Sequence, residues 1–323
     1  MTVITNAAPA EDKTLKTGKF VDPDITADGS RRAEVALAGL KTLWINTGTL
    51  CNLTCGHCYI ESSPTNDRLV YITAAEVAAF LDEIAADGLP TETIGFTGGE
   101  PFMNPDFMAM LEDALSRGHR VLVLTNAMKP MAHKRGELLK LKERFGAALQ
   151  IRVSIDHHAR AIHEMERGTR SWEPAIEGLK WLSANGFHLA VAGRTFMAEG
   201  EDAMRRGYAR LFAKEGIALN AHDPAHLMLL PEMDETLDVP EITEACWGIL
   251  GVHPDDIMCA HERMVIKRKG AERPTVIPCT LLPYDERFEM GATLAEADGA
   301  VKLNHPHCAR FCVLGGGSCS GGS

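Results

Sequence analysis

From Thr42 to about Leu230 the chain repeats one unit six times: a short apolar run, then an amphipathic stretch. The apolar runs are "TLWINTG" (42–48), "TIGFT" (93–97), "RVLVLT" (120–125), "LQIRVSID" (149–156), "FHLAVAGRTF" (187–196) and a sixth within 217–230. The stretches between them carry helical periodicity over 73–88, 104–118, 134–144, 171–186 and 201–216. In the first of these, Thr73 and Glu76 form a capping-box pattern and Gly88 supplies the stop. Asn104 reads as the cap of the second, with Pro105 in its first turn. Apolar strands alternating with amphipathic helices dictate an α/β fold, a parallel sheet with right-handed crossovers. Six such units either curl into a partial (β/α)6 barrel or stay open and doubly wound. In both, the reactive site lies at the C-terminal ends of the strands.

The 323 residues suffice for one large domain plus a smaller appendage. The reading divides them into a polar, aperiodic and flexible leader over 1–38, the strand–helix domain over 39–240, and a cysteine-rich extension over 241–323. The longest aliphatic run, "VLVL" at 121–124, is far too short to span a bilayer, so no membrane partner is expected. The N-terminus, "MTVITNAAPAEDKTLKTG", lacks the basic start and apolar core of a signal peptide, which makes the cytoplasm the expected location. A formal net charge of −11 argues against nucleic acid as a partner, and the basic "VIKRKGAER" (265–273) reads as a solvated hairpin.

Nine cysteines without an export signal argue for metal or catalytic use rather than disulfides. Cys51, Cys55 and Cys58 fall within eight positions of the loop after the first strand, followed at once by Tyr59. A structural zinc site takes four ligands, and no fourth cysteine lies locally, with His57 as the one alternative ligand. Three thiolates on an iron–sulfur cube, by contrast, leave one iron open to a small molecule. The second strand ends in Gly98, Gly99, Glu100 and Pro101. Two glycines let backbone approach a ligand, and a carboxylate or carbonyl there is suited to accept from an ammonium group.

The spacing CxxxCxxC with a neighbouring aromatic, then GGEP one βα unit later, closely resembles the radical S-adenosylmethionine (radical SAM) superfamily. The resemblance implies a partial barrel of radical SAM type. It implies a 4Fe-4S cluster on Cys51, Cys55 and Cys58, with S-adenosyl-L-methionine chelated by the open iron. It implies reductive cleavage of that cofactor to a 5′-deoxyadenosyl radical that abstracts hydrogen from substrate. An external low-potential electron donor such as flavodoxin or ferredoxin follows from the same resemblance. Tyr59, Gly98, Gly99, Glu100 and Pro101 become cofactor-binding candidates, with Glu100 facing the ammonium. "VLTNAM" resembles the third-strand TNG, with Ala127 in place of glycine, which adds Thr125 and Asn126. "VSID" resembles the fourth-strand SxD, which adds Ser154 and Asp156. Arg194 either faces the cofactor carboxylate or snorkels to the barrel mouth. His163, Arg167 and Gly168 match a pattern of radical SAM enzymes with auxiliary clusters, notably peptide-modifying ones. His157 replaces the usual glycine, and adjacent His157 and His158 are expected to point apart, which argues against a metal there.

Cys259 and Cys279 bracket an expected β-hairpin, and Cys308, Cys312 and Cys319 follow in the tail. This arrangement resembles the twitch or SPASM extension. It implies one auxiliary 4Fe-4S cluster held by Cys259, Cys279 and two of the last three, with zinc as the alternative occupant. Cys246 sits in an apolar pattern and reads as a core residue. The implied substrate is a peptide or small metabolite. The ending "CVLGGGSCSGG" also resembles a cysteine-rich group linked to arsenosugar synthesis, which leaves an arsenical as the alternative substrate. A non-catalytic iron–sulfur or zinc protein is the remaining alternative, and it has no use for GGEP.

Overall fold

The computed structural model describes residues 14–195, 199–231, 233–318 and 320. In chain order its elements are β1 (Glu34–Val35), β2 (Thr42–Asn46), α1 (Ala74–Asp87), β3 (Thr93–Thr97), α2 (Phe107–Ser116), β4 (Arg120–Thr125), α3 (Lys129–Ala132) and α4 (Arg135–Phe145). There follow β5 (Leu149–Ser154), α5 (Arg160–Arg167), α6 (Trp172–Ala184), β6 (His188–Arg194), α7 (Glu201–Glu215) and β7 (Leu227–Leu230). The chain continues with α8 (Glu244–Leu250), β8 (Glu262–Ile266), β9 (Thr275–Ile277) and β10 (Val301–Lys302).

Strands β2 to β7 pair in parallel and in sequence order, as the repeated unit requires. Side chains alternate across such strands, so each strand serves two cores. Leu43 and Ile45 of β2, Ile94 and Phe96 of β3, and Ile151 and Val153 of β5 join the buried faces of the helices in the main core. On the opposite face, Trp44, Leu122 and Met264 begin a smaller interior core. Trp44 fits because β3 carries Gly95, where a Cβ would stand 2.3 Å from the indole.

Helix α1 forms as its sequence signals require. Thr73 and Glu76 close the capping box, and Gly88 ends the helix at φ 61°. The second helix differs from expectation at its start. A short 3-10 turn, Pro101–Met103, comes first, and α2 begins at Phe107 behind Asp106. Asn104 does not cap it. The Asn104 amide donates to the carbonyls of Thr47 (3.0 Å) and Ile72 (2.9 Å), tying the GGEP turn to the loop after β2. Burial of those two carbonyls outweighs the local cap.

Two further departures concern the ends of the chain. The expected hairpin forms, with β8 antiparallel to β9, but β8 also pairs in parallel with β2. The sheet thus has eight strands in the order β7-β6-β5-β4-β3-β2-β8-β9, and the extension shares the barrel's own hydrogen bonds. Residues 14–38, expected as part of a flexible leader, pack instead against the C-terminal third. Strand β1 pairs with β10, Phe20 is buried beside Phe311 and Leu303 in one apolar cluster, and buried Arg32 donates to Glu241 at 2.6 Å. Few apolar residues mark this strap, because a buried ion pair and backbone pairing hold it. Among the described residues no helix is long and apolar enough to cross a membrane.

Candidate functional site

The C-terminal ends of β2 to β7 surround a cavity of about 190 Å³. Cys51, Cys55 and Cys58 all line it, together with Tyr59, Gly98, Gly99, Thr125, Asn126, Ser154, Asp156 and Arg194. These candidates come from five different segments of the sequence, and the parallel topology delivers them to one mouth. Glu100 and Pro101 are the exceptions. Both are buried and neither lines the cavity.

The loop from Gly48 to Cys58 lies across the end of β3. Gly99 donates to the Gly48 carbonyl (2.7 Å) and Glu100 to the Leu50 carbonyl (3.1 Å). A Cβ on Gly99 would stand 2.1 Å from the Leu50 oxygen, and one on Gly98 would stand 2.5 Å from that of Gly48. The glycine pair is therefore required first by the cysteine loop's own backbone, and the cavity lies beside that contact. A methyl group there must push backbone aside, so Gly99→Ala is expected to cost about 1–3 kcal/mol of stability. The denaturant midpoint of the variant checks this, and an unshifted midpoint would deny the close approach.

Glu100 turns away from the cavity. Its carboxylate accepts from the Thr125 hydroxyl (2.8 Å) and the backbone amides of Asn126 (2.9 Å) and Phe102 (3.3 Å). Burial raises its pKa to about 7, partly offset by those donors. In this structure the carboxylate acts as a brace that joins the ends of β3 and β4. Asn126, so held, donates through its amide to Asn52 (2.9 Å) and presents the same group 3.9 Å from Cys51 Sγ. Ala127 sits at φ 57°, which shows why glycine suits the third position of this turn.

Helix α5 supplies the clamp. Glu166 is buried, and its carboxylate accepts from the His57 backbone amide (2.7 Å) and lies 2.7 Å from His57 Nδ1. Arg194 donates to the same carboxylate (3.2 Å) and to the His57 carbonyl (2.6 Å), and it covers the Tyr59 ring at 4.9 Å. Arg194 is thus a buried wall of the cavity, and it does not snorkel. Tyr59 donates to the Pro231 carbonyl at 2.7 Å. Arg167 forms a bidentate pair with Asp156 at 2.7 and 2.9 Å. Burial pushes the Asp156 carboxyl up, but the Arg167 charge and hydrogen bonds, with Arg194 behind them, hold it below the ordinary value. Sequence reading named Arg167 yet passed over Glu166, although their adjacency was the available signal.

Burial pushes the Cys51 thiol up to about 12, and the Glu100 charge and the other two thiols add to it. The Cys55 thiol is held at about 11, again chiefly by burial. A cation beside them offsets that burial cost for the Cys51 and Cys55 thiolates, and with Cys58 on the same cavity the site fits a metal centre with three protein ligands. His163 is fully buried, set edge-on to Trp172 at 5.3 Å, and burial lowers its pKa to about 4. His157 and His158 do not point apart. Their rings lie 4.2 Å from each other, and Gly207 leaves room for the second.

A second set of cysteines gathers around the hairpin. Cys259 lies just before β8 and Cys279 just after β9, so antiparallel pairing brings both to one end. Cys308 opens a π-helical stretch, Cys308–Val313. Cys259, Cys279, Cys308 and the half-buried Cys312 pack into one apolar cluster. Burial holds the Cys259 and Cys279 thiols at about 12, and it raises Cys308 well above the ordinary thiol value, with Cys279 and Cys259 adding to the effect. Cys319 lies outside the described residues. Cys246 is half-buried on α8, with its sulfur 3.4 Å from the Thr243 hydroxyl at the helix start.

Comparison with known proteins agrees with this geometry. The family described as the Radical SAM superfamily matches residues 45–207. The antilisterial bacteriocin subtilosin biosynthesis protein AlbA of Bacillus subtilis is 31% identical over 147 residues, which are 45% of this chain and 31% of AlbA. The Fe-coproporphyrin III synthase of Methanosarcina barkeri is 33% identical over 145 residues, 44% of this chain and 33% of the synthase. The matched stretch thus spans about a third of the length of these curated relatives. Streptococcus suis SuiB bound to the precursor peptide SuiA shares the fold at a TM-score of 0.57 and 12% identity, covering 87% of this chain and 67% of SuiB.

Proposed function

The chain belongs to the radical SAM superfamily, and from that premise we propose that it is a peptide-modifying enzyme with a second, auxiliary iron–sulfur centre. The observation that carries the reading is the convergence of Cys51, Cys55 and Cys58 with Gly98, Asn126, Ser154 and Asp156 on one cavity at the barrel mouth. A 4Fe-4S cluster and S-adenosylmethionine bound there supply the chemistry, a primary carbon radical made by reductive cleavage.

The chain's own residues then have three tasks. Cys51, Cys55 and Cys58 hold the cluster, and Glu166 fixes the loop that carries them. Gly98, Gly99, Thr125, Asn126, Ser154 and Asp156 form the walls against which the cofactor lies. Leu53, Leu124, Met228, Leu230 and Leu281 line the remainder of the cavity and keep water out. If Glu166 is the clamp, Glu166→Ala removes two charge-assisted hydrogen bonds to His57, each worth about 1.5–3 kcal/mol. Release of iron to a chelator is then expected to quicken by at least tenfold. An unchanged rate would remove Glu166 from that role.

We read residues 241–323 as the auxiliary centre's extension and 39–240 as the catalytic core. Cys259, Cys279, Cys308 and Cys312 are the ligands that the described geometry supports for a 4Fe-4S cluster. Four thiols in an apolar cluster equally suit zinc, so metal content decides. Anaerobic reconstitution is expected to give about eight irons per chain, four for each cube. About four irons with one zinc would refute the auxiliary cluster and leave the first site standing.

The peptide reading draws support from AlbA, whose name ties it to the biosynthesis of a bacteriocin, at 31% identity. The coproporphyrin relative shows that the family's substrates diverge, so the choice rests on what the barrel interior recognises.

A further inference from the structure

The tail after the π-helical stretch is rich in glycine and serine, and such a composition ordinarily marks a loose linker. Its geometry is different. A Cβ on Gly315 would stand 2.6 Å from the Arg310 carbonyl, and one on Gly317 would stand 2.6 Å from the Phe311 ring. Gly316 takes φ +61°, and Gly317 donates to the Phe311 carbonyl at 2.8 Å. The three glycines form one fitted turn that sends the following residues in a fixed direction.

That direction is the barrel interior. Arg152 of β5, a cavity-lining residue only 6% exposed, donates through Nη2 to the Ser320 carbonyl at 3.0 Å. Glu262 of β8, 3% exposed, accepts from the Ser320 hydroxyl at 2.5 Å. The second oxygen of Glu262 accepts from the Trp44 indole at 2.6 Å, which fixes the carboxylate's position. Arg152 is also 3.7 Å from Met228 Sδ on β7. The two side chains thus reach Ser320 from opposite parts of an open sheet, β5 on one side and β8 on the other. Neither contact depends on an apolar side chain of the tail. One reads a backbone carbonyl and the other a hydroxyl.

We propose that Arg152 and Glu262 form a substrate-recognition subsite for an extended peptide with small, hydroxyl-bearing residues, which the chain's own tail occupies in this structure. The inference rests on the peptide reading above, because a porphyrin or an arsenical has neither a peptide carbonyl nor a serine hydroxyl to offer the pair. A buried guanidinium and a buried carboxylate are costly unless their hydrogen bonds are met. The tail meets them while the subsite waits, and an incoming peptide of the same chemistry exchanges for it.

Hydrogen exchange of the tail amides tests this without any turnover, so its outcome is independent of whether a peptide is ever modified. Reconstituted protein is expected to show slowed exchange over residues 315–318 and at Ser320. Ser320→Ala, which removes one hydroxyl from the tail and leaves the barrel intact, should raise that exchange by about three- to tenfold. Arg152→Gln and Glu262→Gln should raise it at least as much. The synthetic peptide GGGSCSGGS at millimolar concentration should raise it in the unaltered protein, and GGGSCAGGS should do so less. Equal exchange in the unaltered protein and all three variants would show that the pair does not hold the tail. Variants that loosen the tail, together with peptides that never displace it, would equally overturn the recognition role.

Discussion

Changing Cys51, Cys55 and Cys58 together to alanine is expected to reduce cleavage of S-adenosylmethionine to background. The reason is that, among the described residues, no other cysteine lines the cavity that all three thiols face. Cys259, Cys279, Cys308 and Cys312 belong to the apolar cluster around the β8–β9 hairpin. Neither His57, held by Glu166, nor Tyr59, held by Pro231, is placed to replace a thiolate. If the hairpin group holds the proposed second cluster, the same variant should keep about half of the iron, because Cys259, Cys279, Cys308 and Cys312 come from separate elements. Complete loss of iron would show that the hairpin group holds none.

The largest expected effect on stability lies with Arg167. Its guanidinium pairs with Asp156 at 2.7 and 2.9 Å, and the Asp156 carboxylate is 2% exposed. Removing one member of a buried pair strands the other, at a cost of about 3–5 kcal/mol. Arg167→Met should therefore lower the free energy of unfolding by that amount, read from the denaturant midpoint at neutral pH. Adding Asp156→Asn should recover part of the loss, because an amide in the same place carries no unpaired charge. If the double variant is simply the sum of two losses, the pair is not coupled. The pair also joins the end of β5 to the helix that clamps the cysteine loop, so the single variant should lose iron more readily.

The repeated unit was legible because each strand and its helix announce themselves locally. Strands β3 and β4 fall where the apolar runs place them, and α1 begins and ends at its own capping signals. The cavity-lining candidates were legible for a related reason. Each sits at a strand end, and a parallel sheet brings strand ends together. What the sequence hid depends on side-chain direction and distant partners. Glu100 belongs to a motif that names its position, yet nothing local says that its carboxylate turns toward Thr125 and Asn126. Asn104 resembles a helix cap until the Thr47 and Ile72 carbonyls need its amide. The parallel pairing of β2 with β8 joins residues more than two hundred positions apart, and no short-range pattern records it. The strap over residues 14–38 likewise rests on Arg32 and Glu241, two charges that read as surface until they are seen buried together.

The most direct measurement of the account is product analysis of the anaerobically reconstituted protein, reduced with dithionite in the presence of S-adenosylmethionine. The account predicts 5′-deoxyadenosine and methionine in equal amounts from the unaltered chain, and neither above background from the triple cysteine variant. Reduced protein with a full complement of iron that leaves S-adenosylmethionine intact would contradict it.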